Sequence, residues 1–330
     1  MKAIVYHKYG SPADLHYAEI PCPVPDEKEI LVKVRAASIN SWDLDLLRGK
    51  PFLARLGGIF KPRYQVLGAD IAGTVEAVGR EVTDWKVGDA VYGDISESGW
   101  GGFAEYVKVK ANALAPKPHN ISFEEAAAIP QAAVLAWSGL HISGAIPNGL
   151  SILLIGAGGG VGTFGIQIAK HFGATVTAID RPEKLDFMRA LGADKVIDYT
   201  EEDFSRRDLR YDLILDVVSY RPLSEYRNAL KANGRYVVIG GSTPAILRLF
   251  FIAPLYTLYE RISGQQSGKK MQLLFHRPDP EILQEMSGIL NNGIIKAMID
   301  RTYPLPEVPE AMNYFMQGKV KGKIVIKIPE

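Results

Sequence analysis

The hydrophobic pattern of the chain changes period once. Up to about residue 120, apolar and polar residues alternate in short runs, the mark of half-buried strands. Lys2 to Tyr6 and Glu29 to Ala37 (EILVKVRAA) alternate in this way, separated by the turn-rich PCPVPDEKE. Leu67 to Val78, the turn and strand of Trp85 to Tyr92, and Gly99 to Val107 follow. Glycines stand at their corners, where backbones bulge or pack closely. Many short strands with glycine corners predict a compact, partly closed β-domain.

Beyond Pro116-Lys117-Pro118 the period lengthens. Ser122 and Glu125 form a capping box that opens a helix through Ala126 to Ala128; Pro130 interrupts it, and another runs from Ala132 to Leu140. From Ser151 onward strands and helices alternate. Strands are expected at Ile152–Ile155, Thr175–Ile179, Lys195–Ile197, Tyr211–Val217 and Arg235–Ile239, and helices after Gly162, at Lys184–Leu191 and at Leu223–Leu230. That order predicts a doubly wound parallel sheet in an α/β protein. The tail, Lys323 to Ile328, alternates again and is expected to return to the first domain.

Candidate chemistry concentrates in Ser151 to Asp180. A buried strand leads into Gly156-Ala157-Gly158-Gly159-Gly160-Val161-Gly162, then an amphipathic helix closed by Gly173, then a strand ending on Asp180. Glycines let a backbone approach a pyrophosphate, the helix N-terminus offers free N–H groups, and the acid can accept from a ribose. The frame ending at Gly162 has Ala157 in its first glycine position, so the strand–turn–helix context carries the reading. A flexible linker has no such flanks.

Composition narrows the class. The 330 residues suggest two domains, and 47% hydrophobic with 23% charged residues is ordinary for a globular protein. A net charge of +1 gives no reason to invoke nucleic acid or an anionic membrane. The single Cys22 excludes an intrachain disulfide framework and a multi-cysteine zinc site. Met1 leads straight into a strand pattern without a signal peptide, so the cytoplasm is expected. Ala245 to Tyr259 is strongly apolar, but with Arg248 and Pro254 inside it is too short to span a bilayer. A core helix, a subunit contact and a membrane-surface foot are its three readings.

Taken together, ASINSWDLDLLRG (37–49), VLGADIAGTVEAVG (66–79), VGDAVYG (87–93), GGFAEYV (101–107), AAAIPQAAVLAW (126–137), IGAGGGVGTFGIQIAK (155–170), LGADKVIDY (191–199), DLILDVV (212–218) and GKIVIKI (322–328) resemble the medium-chain dehydrogenase/reductase superfamily, in its zinc-free quinone oxidoreductase (zeta-crystallin-like) branch. The resemblance implies a GroES-like β-domain, 1–120 with 300–330, interrupted by a Rossmann domain, 121–299, with the active site in the cleft between them. It also implies a homodimer, with Met271 to Phe275 as a pairing edge strand. The alcohol dehydrogenases of this superfamily hold zinc with a Cys, a His-Glu pair and a distant third ligand. Those positions fall here on Asn40, Ala69-Asp70 and about Gln131, so no metal is expected.

Without a metal to polarise an oxygen, the expected substrates are those that already delocalise incoming charge, quinones and α,β-unsaturated carbonyls, reduced by NAD(P)H. The resemblance puts Asn40 beside the nicotinamide as a donor to a carbonyl oxygen; Asp43 anchors that loop, and Tyr64 is the nearby phenol. Lys50 to Gln65, with Gly57-Gly58 as a hinge, is a candidate cover. Ala157, Gly158, Gly159, Gly160, Val161 and Gly162 are expected at the pyrophosphate, and Gln131, Gly240, Gly241 and Ser242 at the nicotinamide end. Asp180 favours NADH by repelling a 2′-phosphate, while Arg181, Lys184 and Tyr199 lie where relatives gather one. The competing reading is a nucleotide-binding module with a structural or regulatory role and little turnover.

Overall fold

The fold is taken from a computed structural model, which describes residues 1–55, 58–206, 209–240, 243–264 and 267–329, excluding the side chains at 53, 206, 243, 245, 257, 260 and 261. The chain divides into two units, one of residues 1–134 with 278–330 and one of residues 135–277.

The first unit begins with strands β1 (Lys2–Val5), β2 (His16–Glu19) and β3 (Glu29–Ser38), helix α1 (Ser41–Arg48), and strands β4 (Asp70–Val78), β5 (Ala90–Asp94), β6 (Tyr106–Lys110) and β7 (Ala115–Pro116). Helices α2 (Phe123–Ala127) and α3 (Pro130–Leu140) follow. Ser122 and Glu125 exchange the two bonds of the expected capping box, at 3.1 and 2.8 Å, and α3 starts at Pro130, where the ring's fixed φ suits a first helical turn.

The second unit is the expected parallel sheet. Its elements are β8 (Ser151–Ile155), α4 (Gly160–His171), β9 (Thr175–Asp180), α5 (Leu185–Ala190), β10 (Lys195–Asp198), β11 (Tyr211–Asp216), α6 (Leu223–Ala229), β12 (Leu230–Val238), α7 (Thr243–Ser263) and β13 (Lys270–Leu273). Strand order is β10-β9-β8-β11-β12-β13, all parallel, so the direction of winding reverses between β8 and β11. Ligands of open α/β sheets bind at that reversal, beyond the carboxyl ends of the strands. Ile152 to Ile155 of β8 are buried on both faces, as an apolar run in a parallel sheet requires.

The chain then returns through α8 (Pro280–Glu285), α9 (Ser287–Asn291), β14 (Ile299–Pro304), α10 (Val308–Met316) and β15 (Lys323–Lys327) to the first unit. There the large sheet runs β14-β15-β3-β4-β5-β7, with β6 also on β3. Its core gathers Ile30, Val32, Val34, Leu47, Phe103, Leu305 and Ile324. Residues 121–134 and 278–299, expected with the nucleotide-binding half, lie in this unit. The cause is visible: α2 packs on β3 and β4, α8 packs on β7, and the Tyr92 hydroxyl donates to the Leu283 carbonyl at 3.1 Å.

Helix α7 lays Leu249, Ile252, Ala253 and Tyr256 on the core of the second unit, while Leu247, Phe251, Leu255, Leu258 and Ile262 stay exposed. Among the described residues no helix is long and apolar enough to cross a membrane.

Candidate active site

Four strands and two helix starts of the first unit converge on one buried polar cluster. Strand β3 ends at Ser38, and Asn40 opens α1, its backbone N–H donating to Asp43 Oδ2 at 2.8 Å. The other oxygen of Asp43 accepts from the Gly68 N–H at 2.9 Å, which ties α1 to the approach of β4. Asp43 thus takes the N3 position of a capping box at the start of α1 and also holds the Gly68 backbone. Burial pushes its carboxyl up to about 7, against the two backbone bonds that favour the ionised form.

Asp70, the first residue of β4, is fully buried at the centre. Its Oδ1 accepts from the Gln131 N–H at 3.1 Å, one of the first-turn groups of α3 that has no helical acceptor. Oδ2 accepts from Asn40 Nδ2 at 3.0 Å and from Ser38 Oγ at 3.3 Å, and Lys323 Nζ stands 3.4 Å away. Burial raises the Asp70 carboxyl above its ordinary range while Lys323 opposes the shift. Gln131 reaches Asp94 Oδ2 from its amide at 3.4 Å. Asn40, Asp70 and Gln131, far apart in sequence, are thus brought together; Gln131 is a buried member of this cluster.

Lys323, Asp94 and Ser38 were not singled out in the sequence. Lys323 in particular sits at the start of a plain alternating strand, which places no obvious charge inside. Register decides otherwise: β15 pairs antiparallel with β3, Val325 opposite Ser38, so the Lys323 side chain runs beneath Ile39 and Asn40.

Tyr64 lies half-buried against the core near Gly99, with the Arg63 guanidinium 5.5 Å from its ring centroid, and takes no part in the hydrogen bonds just described. Trp42, on the first turn of α1, is 51% exposed and stacks on Trp100 at 6.4 Å and 23°. Trp100 is buried and holds a left-handed φ of 68°, rare for a bulky residue. In the expected cover, Phe52, Ile59 and Phe60 are exposed, and Gly57 of its hinge lies outside the described residues.

In the second unit the glycine turn follows β8 as expected. A Cβ on Gly162 would meet the Ala157 backbone at 2.4 Å, so only glycine lets α4 start this close to the strand end. Gly173, at φ 76°, follows the helix as a left-handed C′ residue. Gly160, Val161 and Gly162 form the first turn of α4, the kind of helix start whose N–H groups suit an anion such as a pyrophosphate. A Cβ on Gly158 would meet Lys184 Cδ at 2.6 Å, so glycine there makes room for that lysine.

Asp180 is tied into this turn. Oδ2 accepts from the Gly158 N–H at 2.8 Å, Oδ1 accepts from the Arg181 N–H at 2.8 Å, and the ammonium of the buried Lys184 lies 3.6 Å from Oδ1. The Tyr199 ring lies 5.6 Å from that of Tyr220. A Cβ on Gly240 would meet the Val217 carbonyl at 2.9 Å; Gly241 and Ser242 lie outside the described residues. Asp216, at the end of β11 beside the turn, was also missed. It accepts from the Val218 and Ser219 N–H groups at 2.9 and 2.8 Å and from the Tyr236 hydroxyl at 2.9 Å.

A mainly antiparallel unit with a buried polar cluster and a parallel unit opening on a glycine turn define a two-domain pyridine-nucleotide oxidoreductase. Two family models match the chain: the alcohol dehydrogenase GroES-like domain over residues 26–119 and the zinc-binding dehydrogenase over residues 191–326. A 2-methylene-furan-3-one reductase of Solanum lycopersicum is 35% identical, covering 99% of this chain and 79% of the relative. A chloroplastic NADPH-dependent alkenal/one oxidoreductase of Arabidopsis thaliana is 33% identical with the same coverage. The solved quinone oxidoreductase from Coxiella burnetii superposes with a TM-score of 0.86 at 27% identity, over 100% of this chain and 99% of that one. The chain belongs to the medium-chain dehydrogenase/reductase superfamily, among its NAD(P)H-dependent quinone oxidoreductases and enone reductases.

One matching model carries zinc in its description, and the donors here do not fit it. Asn40 and Gln131 supply amides, both oxygens of Asp70 are engaged, and an ammonium stands among them. Among the described residues no group of three His, Cys, Asp or Glu could hold a metal ion. A catalytic zinc takes about three strong protein ligands.

Proposed function

We propose that this chain reduces a quinone or an α,β-unsaturated carbonyl compound without a metal. The observation that carries the reading is the buried Asn40–Asp70–Lys323 cluster, hydrogen-bonding groups where a metal-dependent relative needs chelators. NAD(P)H, when bound, supplies a hydride to the β-carbon or the quinone ring. Asn40 keeps one amide N–H beyond the one it gives Asp70, and that donor is assigned to the acceptor's oxygen as negative charge develops there. No general acid is assigned; water supplies the proton that completes the saturated carbonyl or the hydroquinone. The exposed indole of Trp42, on the first turn of the helix that Asn40 caps, offers a planar surface.

The expectation of NADH rested on the charge of Asp180. Two backbone N–H groups and Lys184 offset that charge, so its repulsion of a 2′-phosphate does not decide the choice. We read the site as accepting NADPH at least as well as NADH, with Arg181, Lys184 and Tyr199 as the receiving groups. A homodimer belongs to the same reading: β13 is an open edge of its sheet, and the apolar face of α7 lies next to it. Cytoplasmic residence also stays part of it, tested by cell fractionation.

Chelator-treated protein assayed with NADPH against a benzoquinone, an alkenal and a simple ketone tests the proposal. Oxidation with the first two and not the ketone is expected. Rapid reduction of the ketone alone overturns it, and tight NADPH binding with no turnover favours the binding-module reading.

A further inference from the structure

A cation already stands where zinc would be sought, and it belongs to the chain. Lys323 Nζ donates to the Ile39 carbonyl at 3.1 Å, to Asn40 Oδ1, and toward Asp70 Oδ2 at 3.4 Å. A neutral amine has two N–H bonds and an ammonium three, so three converging acceptors match the charged form. The side chain is 4% exposed, in a cluster that also buries Asp43, Asp70 and Asp94. A buried charge without partners is very costly, and here the ammonium and the Asp70 carboxylate partner each other.

The same contacts settle how Asn40 faces. Its oxygen points to the ammonium and its nitrogen to the carboxylate; turned over, the amide would set its N–H groups against Lys323 and its oxygen against Asp70. In this pose one amide N–H is left for another acceptor. The ammonium thus fixes the donor and adds positive charge one residue away from the oxygen that the donor serves.

We propose that Lys323 is the resident cation of this site, standing in the place of the metal, and that it acts as a positioning residue through Asn40 to stabilise negative charge on a bound acceptor's oxygen. The assignment rests on the reduction proposed above, so its test includes a measurement that needs no turnover.

The probe is p-nitrophenol, whose phenolate imitates the developing oxyanion and absorbs separately from the phenol. It is titrated with pH in the presence of the protein saturated with NADP⁺. Wild type should bind it and ionise it at least about one pH unit below the free compound. Lys323→Gln, uncharged and of similar reach, should lose that depression, and Lys323→Arg should keep part of it. In steady state Lys323→Gln should lower kcat about 100-fold while leaving the KM for NADPH within about threefold.

An equal depression in wild type and Lys323→Gln, or no phenolate binding by wild type, overturns the proposal. So does stoichiometric zinc retained by wild type after exposure and desalting. If Lys323→Gln does not fold, judged by circular dichroism, Asn40→Leu replaces it: the amide is gone with Lys323 in place, and a depression that survives overturns the route through Asn40. A lysine-dependent depression in a protein that reduces neither quinones nor enones would retire the proposed reaction and leave this assignment standing. Turnover indifferent to Lys323 would do the reverse.

Discussion

The Gly158 N–H donates to Asp180 Oδ2 at 2.8 Å, joining the glycine turn to the end of the neighbouring strand. The acid therefore shapes the turn itself. Asp180→Ser releases Gly158 and frees Lys184, with unequal effects on the two cofactors. The kcat/KM for NADH should fall about tenfold, the scale of one lost charge-assisted hydrogen bond, and that for NADPH should fall less or rise. Steady-state kinetics with both cofactors checks it; an unchanged ratio contradicts the assignment.

Asp43 makes stability depend on pH with a definite sign. Burial raises its carboxyl to about 7 in the folded chain, well above the ordinary carboxyl range near 4. Its contribution is therefore fully present below that ordinary range and lost as pH rises to about 7, at up to about 1.4 kcal/mol per pH unit. Urea denaturation at pH 5, 6, 7 and 8 should show a steeper decline in wild type than in Asp43→Asn. Parallel curves would show that Asp43 does not titrate in this window.

Trp42 presents an indole face backed by Trp100, and a planar ring can stack there. Trp42→Ala should lower kcat/KM for a naphthoquinone about five- to tenfold, in line with the worth of an aromatic pair, and change a straight-chain alkenal less than about twofold. Equal losses for both substrates would make Trp42 a packing residue only.

Tyr236 supplies one of the hydrogen bonds that hold the fully buried Asp216 at the reversal of the sheet. Tyr236→Phe removes the hydroxyl and little else. Unfolding free energy should drop by about 1–3 kcal/mol, the cost of leaving a buried acceptor short of a donor. A change below about 0.5 kcal/mol, the range of an ordinary surface substitution, would show that the bond adds nothing.

Much of this architecture was legible because it follows from local pattern. The buried run Ile152–Ile155, the glycine turn, the Ser122–Glu125 capping box and the Gly173 helix end are each fixed by residues close in sequence. The polar cluster was legible only in part. Asn40, Asp70 and Gln131 could be lined up by resemblance, but Lys323 reads as the exposed start of a strand until β15 pairs with β3. Asp94 and Asp216 were hidden for the same reason, since a lone acid at a strand end gives no sign of burial. The unit boundaries moved because α2, α8 and α9 pack by tertiary contacts that periodicity does not encode.

The most direct test follows the hydrogen itself. Chelator-treated protein, with its metal content measured, is given NADPH deuterated at the reactive carbon and an α,β-unsaturated ketone, and the product is read by NMR. The account predicts deuterium at the β-carbon of a saturated ketone, at the same rate with and without chelator. Deuterium at the carbonyl carbon of an allylic alcohol, or activity that disappears with the metal and returns with zinc, would contradict it.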